Sequence, residues 1–596
     1  MRQNMNWTPD EKFQTFLSYV DLHDIHLRHE NFQFLKKIYS QISRENRELL
    51  IQKILKFRWK DTTDPLSETH EAYIKMDWLN WLSESDSSCL LVSDALRVLK
   101  EKHPEWSPSD HPDFLSWHSG VQKVSSRSPW SPEILLGRSP EGWMEEFRDH
   151  QETSEKHMWG PSWEGLLQAV FEAAKQNFEW GVALAQVLLS RRDWSSELWD
   201  SLINSWSIWP EEKEKAFVIL GLLSKSDLYP THVVSISNTL YAFVRNGGKS
   251  YSPELINDAN EIVHALWPLI NEVEVSKTDL LLDRALNNPA GIIALFWLKS
   301  LSVRKQNQSD SEINIFSENY KGEFERLWNT PGSQGVFART IISSQLAFLF
   351  YVDEEWTKGM ILPLFMNEDP FHFLQAWEGF LTWGNLNPQT VSLLKPAFLF
   401  ALSRLEMREK HRQRFIEYYA DSLAFYVENP LEEWIPKFFE YASSLDRVIF
   451  ASHLGFIMRN LDEDRQITWW KNWLSKYWKD RNQGLYSRID KEEMDRMLEW
   501  VPRLSAVFPE VVDGIIKAKV NFSKDKSLYP IFVELKKNKI LLKYPEQSIN
   551  LIIYLLENST KNARFGLKEL LEDAKSANLS ASLKLTLDEK LVLYEL

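Results

Sequence analysis

The chain has 596 residues, 43% of them hydrophobic and 26% charged, a composition that excludes wholesale disorder. A compact core ordinarily stops growing near ~250–300 residues, so several domains or a repeat array are expected. A formal net charge of −15 excludes a general nucleic-acid coat, and the single cysteine, Cys89, excludes an intramolecular disulfide framework or a multi-cysteine zinc site. With 27 Trp, 33 Phe and only 20 Gly, the sequence favours tightly connected helices that bury large aromatic side chains over a turn-rich β protein.

Residues 1–60 read as an N-terminal helical segment. In TPDEKFQTFLSYV, Thr8 stands as an N-cap with Glu11 in the capping-box position. SRENRELLIQKILKF offers Ser43 as a cap, with Glu45 in the first turn and an apolar stripe at Leu49, Leu50, Ile54 and Leu55. The opening MRQNMNWTPDEKF has no apolar signal core, so no secretory signal is expected. Residues 61–159 are rich in Pro, Ser and Trp. Within them, HPEWSPSDHPDFLSWHSGVQKVSSRSPWSPEILLGRSP reads as short helices and ordered loops packed on the neighbouring helices.

Residues 160–365 and 366–596 read as two helical repeat regions. RNGGKSYSP (245–253) reads as a tight glycine turn and VRKQNQSDSEIN (303–314) as an exposed loop. The apolar runs AGIIALFWL and SQLAFLFYV are far short of the ~18 residues of a spanning helix, so core helices and a cytoplasmic location are expected, without a membrane partner. Leu431, Trp434, Ile435, Phe438, Phe439 and Ala442 recur at steps of three and four, the pattern of a buried helix face. Pro388, Pro430 and Pro545 mark where one helix stops or the next begins. Apolar–polar alternation is nowhere sustained. The expected fold is all-α: an α-solenoid-like, HEAT-like stack of helix pairs with a Trp-rich core, recurring at about 40 residues.

SPEILLGRSPEGWMEEF, followed by GPSWEGLLQAVFEAAKQNFEWGVALAQVLLSRRDWSSELWDSLINSW, is similar to a phrase of the large helical regions of bacterial anti-phage defence proteins. The block 369–520 resembles the uncharacterised C-terminal domain that follows sirtuin-like NADase domains in such systems. The resemblance covers 131–210 and 369–520 and contains no catalytic residues. No glycine-rich nucleotide-binding strand–turn–helix accompanies it in this sequence. What it implies is a sensing or scaffolding part, with any killing enzyme on another chain.

Several side-chain patterns invite chemistry. In DLHDIHLRHE, His23, His26 and His29 lie near Asp24 and Glu30, and two of them would share a helix face, but there is no HExxH motif and no third ligand nearby. GGKS at 247–250 resembles the end of a phosphate-binding loop, yet position 243 is Phe where that loop needs Gly. Asp525 with Glu534-Leu535-Lys536 matches the D…ExK spacing of metal-dependent nucleases, whose carboxylates sit on adjacent strands; here the segment reads as helix and turn. Cys89 reads as a small buried apolar residue.

Two basic features remain. Arg404, Arg408 and Arg412 fall at i, i+4, i+8, one basic stripe if a single helix carries them. TWWKNWLSKYWKDR interleaves Trp469, Trp470, Trp473 and Trp478 with Lys471, Lys476 and Lys479, which would stack bases and hold phosphates if the indoles were exposed. The opposing reading buries the indoles, leaves the lysines in water and pairs the arginines with nearby carboxylates. No cofactor and no metal are expected. The expected function is a non-catalytic protein-binding scaffold or sensor in anti-phage defence, its partner a phage protein or a separate effector enzyme, with self-association compatible. A nuclease with a dispersed carboxylate site and a nucleic-acid-binding scaffold are the alternatives.

Overall fold

Helix boundaries in the computed structural model follow the residues able to take up free backbone groups. It describes residues 7–19, 28–58, 67–104, 106–108, 118–119, 122–123, 128–154, 161–208, 212–246, 253–307, 316, 318–404, 407, 409–560, 564–574 and 580–593. Ahead of the helix Pro9–Tyr19, the Thr8 N–H donates to Glu11 Oε2 at 2.7 Å and the Glu11 N–H donates to Thr8 Oγ1 at 3.2 Å, a complete capping box. Ser43 differs from expectation. It precedes the helix Arg44–Leu55 but its hydroxyl makes no capping bond; its N–H donates to Asp10 Oδ1 at 2.8 Å, so a tertiary contact replaces the local one. Pro388 and Pro545 open Pro388–Leu402 and Pro545–Glu557, where a missing N–H costs nothing. The Pro430 carbonyl accepts from the Ile435 N–H at 2.9 Å at the start of Trp434–Tyr441.

The protein is all-α, a stack of packed helices. Among the described residues the strands are His118–Ser119 and Gln122–Lys123, two residues each, paired antiparallel. The chain forms two compact units, Met1–Ser250 and Tyr251–Leu596, so the segment read as 160–365 is divided between them.

In Met1–Ser250, one aromatic core runs from Phe13 to Trp106. Trp78 and Trp81 of the helix Ser67–Ser85 lie 4.3 and 5.1 Å from the Phe32 ring, so tryptophans of the Pro/Ser/Trp-rich segment complete the core of the first helices. Further along, Pro132–Leu136 packs on Trp163–Gln176, that helix on Leu198–Ser205, and that on Tyr229–Asn246. Each partner is an alternate helix of the chain or nearly so, as in a stack of pairs.

The same alternation orders Tyr251–Leu596. Pro289–Asn307 packs on Gly332–Ser344, then come Pro370–Trp383, Glu409–Tyr426, Ser444–Met458 and Lys491–Leu498, each against the one before. Pro289–Asn307 extends past Val303, which is buried, so the first residues of the loop expected over 303–314 are helical, and 308–314 lie outside the described residues. Trp434, Ile435, Phe438 and Phe439 are buried as their spacing predicts. No single helix among the described residues is long and apolar enough to cross a membrane.

A buried ionic network fastens the turn after residue 482. Arg481 donates from Nη1 to the Leu485 and Ser487 carbonyls, both at 2.7 Å, and from Nε and Nη2 to Glu493 at 2.8 and 2.7 Å. Arg447 adds a 3.1 Å bond from Nε to Glu493 and one of 3.0 Å to the Ala442 carbonyl. Arg481 and Glu493 are fully buried, so the geometry must satisfy their charges internally, and it does.

Candidate functional site

The basic stripe does not form. Pro388–Leu402 ends before Arg404, and Glu409–Tyr426 begins after it, so no single helix carries Arg404 and Arg412. Arg408 lies outside the described residues. Arg404 pairs with the Glu368 carboxylate, donates to the Glu368 carbonyl at 2.7 Å and lies over the Phe400 ring. Arg412 donates from Nε to Asp446 Oδ1 at 2.7 Å. Asp446 is completely buried and also closes a capping box with Ser443, so Arg412 neutralises a carboxylate the core cannot leave alone. That hydrogen bond holds the Arg412 guanidinium above its ordinary pKa.

The tryptophan-rich segment is core as well. Glu463–Trp469 and Ser475–Asn482 are joined without a break by a π-helical turn, Trp470–Leu474. In an unbroken α-helix, nine residues would put Trp469 and Trp478 about 180° apart. The wider turn rotates Ser475–Asn482 back toward the first indole's side. All four tryptophans are buried: Trp469 packs on Phe425, Trp478 on Trp500, and Trp470 Nε1 donates to Glu510 at 2.7 Å. Lys471, Lys476 and Lys479 are exposed, with Lys476 bonded to Asp480 at 2.6 Å. The indoles therefore cannot stack bases.

Among the described residues, none of the other patterns assembles a site. His23, Asp24 and His26, and all of GGKS, lie outside the described residues; His29 and Glu30 fall at the start of Arg28–Ile38. Among the described residues no three His, Cys, Asp or Glu side chains gather to hold a metal ion. Glu534 and Lys536 sit on the helix Tyr529–Lys537 instead of on strands, two residues apart and so on different faces. Glu534 is buried and pairs with Arg459 at 2.9 Å, while Lys536 donates to the Glu569 carbonyl at 3.1 Å. Cys89 is buried, with Sγ 3.5 Å from the Tyr39 hydroxyl.

A surface that no motif announced lies along Ser444–Met458. Its inner face buries Phe450, Ala451, Leu454, Ile457 and Met458. Its outer face presents Leu445, 57% exposed, and Phe456, 58% exposed, with half-buried Val448 and Ile449 between them. These positions share one helical stripe. A groove of about 470 Å³ runs along it, walled by Glu409, Gln413 and Glu417 on one side and Arg496 on the other. Within it His453 Nε2 lies 2.8 Å from Asp421, and its ring stacks on Phe456.

Charge collects where this helix ends. Arg459 pairs with Glu534 at 2.9 Å, while Glu499 takes Lys526 at 2.9 Å, Arg496 at 3.3 Å and Arg503 at 3.7 Å. Four cations thus share two carboxylates. Burial first, and then the positive charge of Arg459, lower the Arg503 pKa from its ordinary value. Arg459 and Arg496 remain about half exposed, so the excess positive charge is open to solvent.

Residues 425–583 match a family described as a domain of unknown function (DUF4020). The match includes the Ser444–Met458 floor, the tryptophan-rich helix, the Arg481–Glu493 network and the cation-rich end, but not the wall residues Glu409 to Glu417. No curated protein matches the chain.

Proposed function

We propose that the chain is a non-catalytic protein-binding scaffold or sensor, which holds a segment of a partner protein along the Ser444–Met458 helix. The observation that supports this reading is the uncovered stripe from Leu445 to Phe456 ending in four cations around two carboxylates. The occupant is a segment with apolar side chains followed by carboxylates. The former cover Leu445 and Phe456, at ~1.5–3 kcal/mol for each side chain fully removed from water. The latter meet Arg459 and Arg496 and fix direction and on-rate. The resemblance of 131–210 and 369–520 to anti-phage defence proteins supports a phage or effector protein as that partner and a bacterial cytoplasm as the setting. Binding then shifts a partner enzyme toward its active state by as much as the two states differ in affinity for the scaffold.

The test is purification of the tagged chain from its host, with and without phage infection, beside the double variant Leu445→Asp, Phe456→Asp at matched thermal stability. The expected result is a stoichiometric protein on the wild type that is lost from the variant and released by salt. A wild type free of partners in both conditions, or a partner held equally by the variant, overturns the reading.

A further inference from the structure

A second cleft, of about 710 Å³, lies in the same unit, its mixed polar and apolar lining including Arg339 and Gln375. Arg339, on Gly332–Ser344, is 9% exposed and lines it. The side chain runs back along its own helix to the end of Glu318–Asn329, where Nη1 donates to the Trp328 and Thr330 carbonyls at 2.7 and 3.2 Å. Its Nε donates to Gln375 Oε1 at 2.7 Å, across the contact with Pro370–Trp383. All of these acceptors are neutral. No carboxylate pairs with Arg339 among the described residues, and burial lowers its pKa only to about 10, so the guanidinium stays charged at neutral pH.

The Gln375 amide extends the argument. Because Arg339 Nε–H can only donate, Gln375 must turn its oxygen toward it, which sends Nε2 the other way. That nitrogen is buried and has no acceptor. Arg339 Nη2 likewise has no acceptor among the described residues, the guanidinium's other bonds being those from Nε and Nη1. The arrangement is rigid. A Cβ at Gly335 would stand 2.7 Å from Arg339 Nη1, and one at Gly379 would stand 2.1 Å from the Thr340 carbonyl, so the two helices touch backbone to backbone beside the pair. The cleft's own carboxylate, Glu272, is already held by the Ser333 N–H at 2.9 Å and hydroxyl at 2.8 Å. The rim adds the rings of Phe371 and His372.

We propose that this cleft binds a small organic anion, a carboxylate or a phosphate ester, whose oxygens accept from Arg339 Nη2 beside the Gln375 side chain that lines the cleft. Its volume lies within the ~300–1,000 Å³ usual for small-ligand sites. A bound anion supplies both the counter-charge and the acceptors that the protein withholds.

The discriminating variant is Gln375→Glu, nearly the same shape, which sets a carboxylate of the protein against Arg339. Calorimetric titration and thermal unfolding of the full chain would use inorganic phosphate, citrate and adenosine monophosphate, each against chloride at matched ionic strength. The expected result is saturable binding of at least one probe by the wild type, and binding about tenfold or more weaker by the variant, whose unliganded unfolding midpoint is kept or raised. Citrate above phosphate identifies a carboxylate ligand; phosphate or the nucleotide above citrate identifies a phosphate ester. No saturable binding to the wild type, a shift reproduced by chloride, or equal binding by the variant overturns the proposal.

Discussion

Two neighbouring segments of one unit, Ser444–Met458 and Glu463–Asn482, exchange the roles their compositions suggest. The second interleaves tryptophan with lysine like a surface that grips a ligand, yet its indoles are all buried while its lysines meet water. The first is rich in apolar residues, yet it leaves Leu445 and Phe456 more than half exposed. Aromatic content says that a side chain has much to gain from burial. Whether a neighbour arrives to bury it depends on packing between helices.

Four substitutions probe that contrast, the largest effect first. Trp473→Ala removes an indole packed against Trp469 and Tyr477 and is expected to cost ~3–5 kcal/mol of unfolding free energy in urea. A loss below about 1 kcal/mol would mean that the tryptophan face is not core. Gly455→Ala puts a Cβ 2.6 Å from Arg503 Nη1 and 2.8 Å from the Trp500 ring, which is itself pinned by a 2.8 Å bond to the Ala451 carbonyl. The expected cost is ~1–3 kcal/mol; a neutral outcome would show that the inner face of Ser444–Met458 is loosely packed. Leu445→Ala and Phe456→Ala should each change stability by no more than about 0.5 kcal/mol, because neither side chain leaves water on folding as a core residue does. A core-sized loss at Phe456 would erase the contrast between the two segments.

What the sequence makes legible is local. Thr8 with Glu11, Pro388, Pro545 and the stripe from Trp434 to Phe439 each act within a turn or two of chain, and each lies where its spacing puts it. The arginine stripe fails because one helix ends at Leu402 and the next begins at Glu409, and the partners that hold the arginines are remote: Glu368 lies 36 residues from Arg404, and Asp446 lies 34 residues from Arg412. The π-helical turn is hidden for a different reason, since it changes the angular spacing on which periodicity arguments rest. Arg339 gives no signal at all, being one basic residue in an apolar helix whose partner, Gln375, lies 36 positions away. For the groove a faint signal exists. Ser444–Met458 carries Leu445, Val448, Ile449, Phe450, Leu454, Phe456, Ile457 and Met458, apolar residues on too many sides for one buried face.

The pair Arg412–Asp446 gives the groove a mechanical property. Arg412 belongs to the wall helix, while Asp446 serves in the N-terminal cap of the floor helix, where it takes the Ser443 N–H at 2.7 Å. The wall helix is therefore clasped by the same carboxylate that starts the floor. Prising the wall outward would strip a buried anion of its counter-ion at the point where the floor helix begins, and the floor would tend to fray from that end. With one wall tied to its floor in this way, the groove would sooner take a strap laid along the floor helix than a wedge that forces the wall outward.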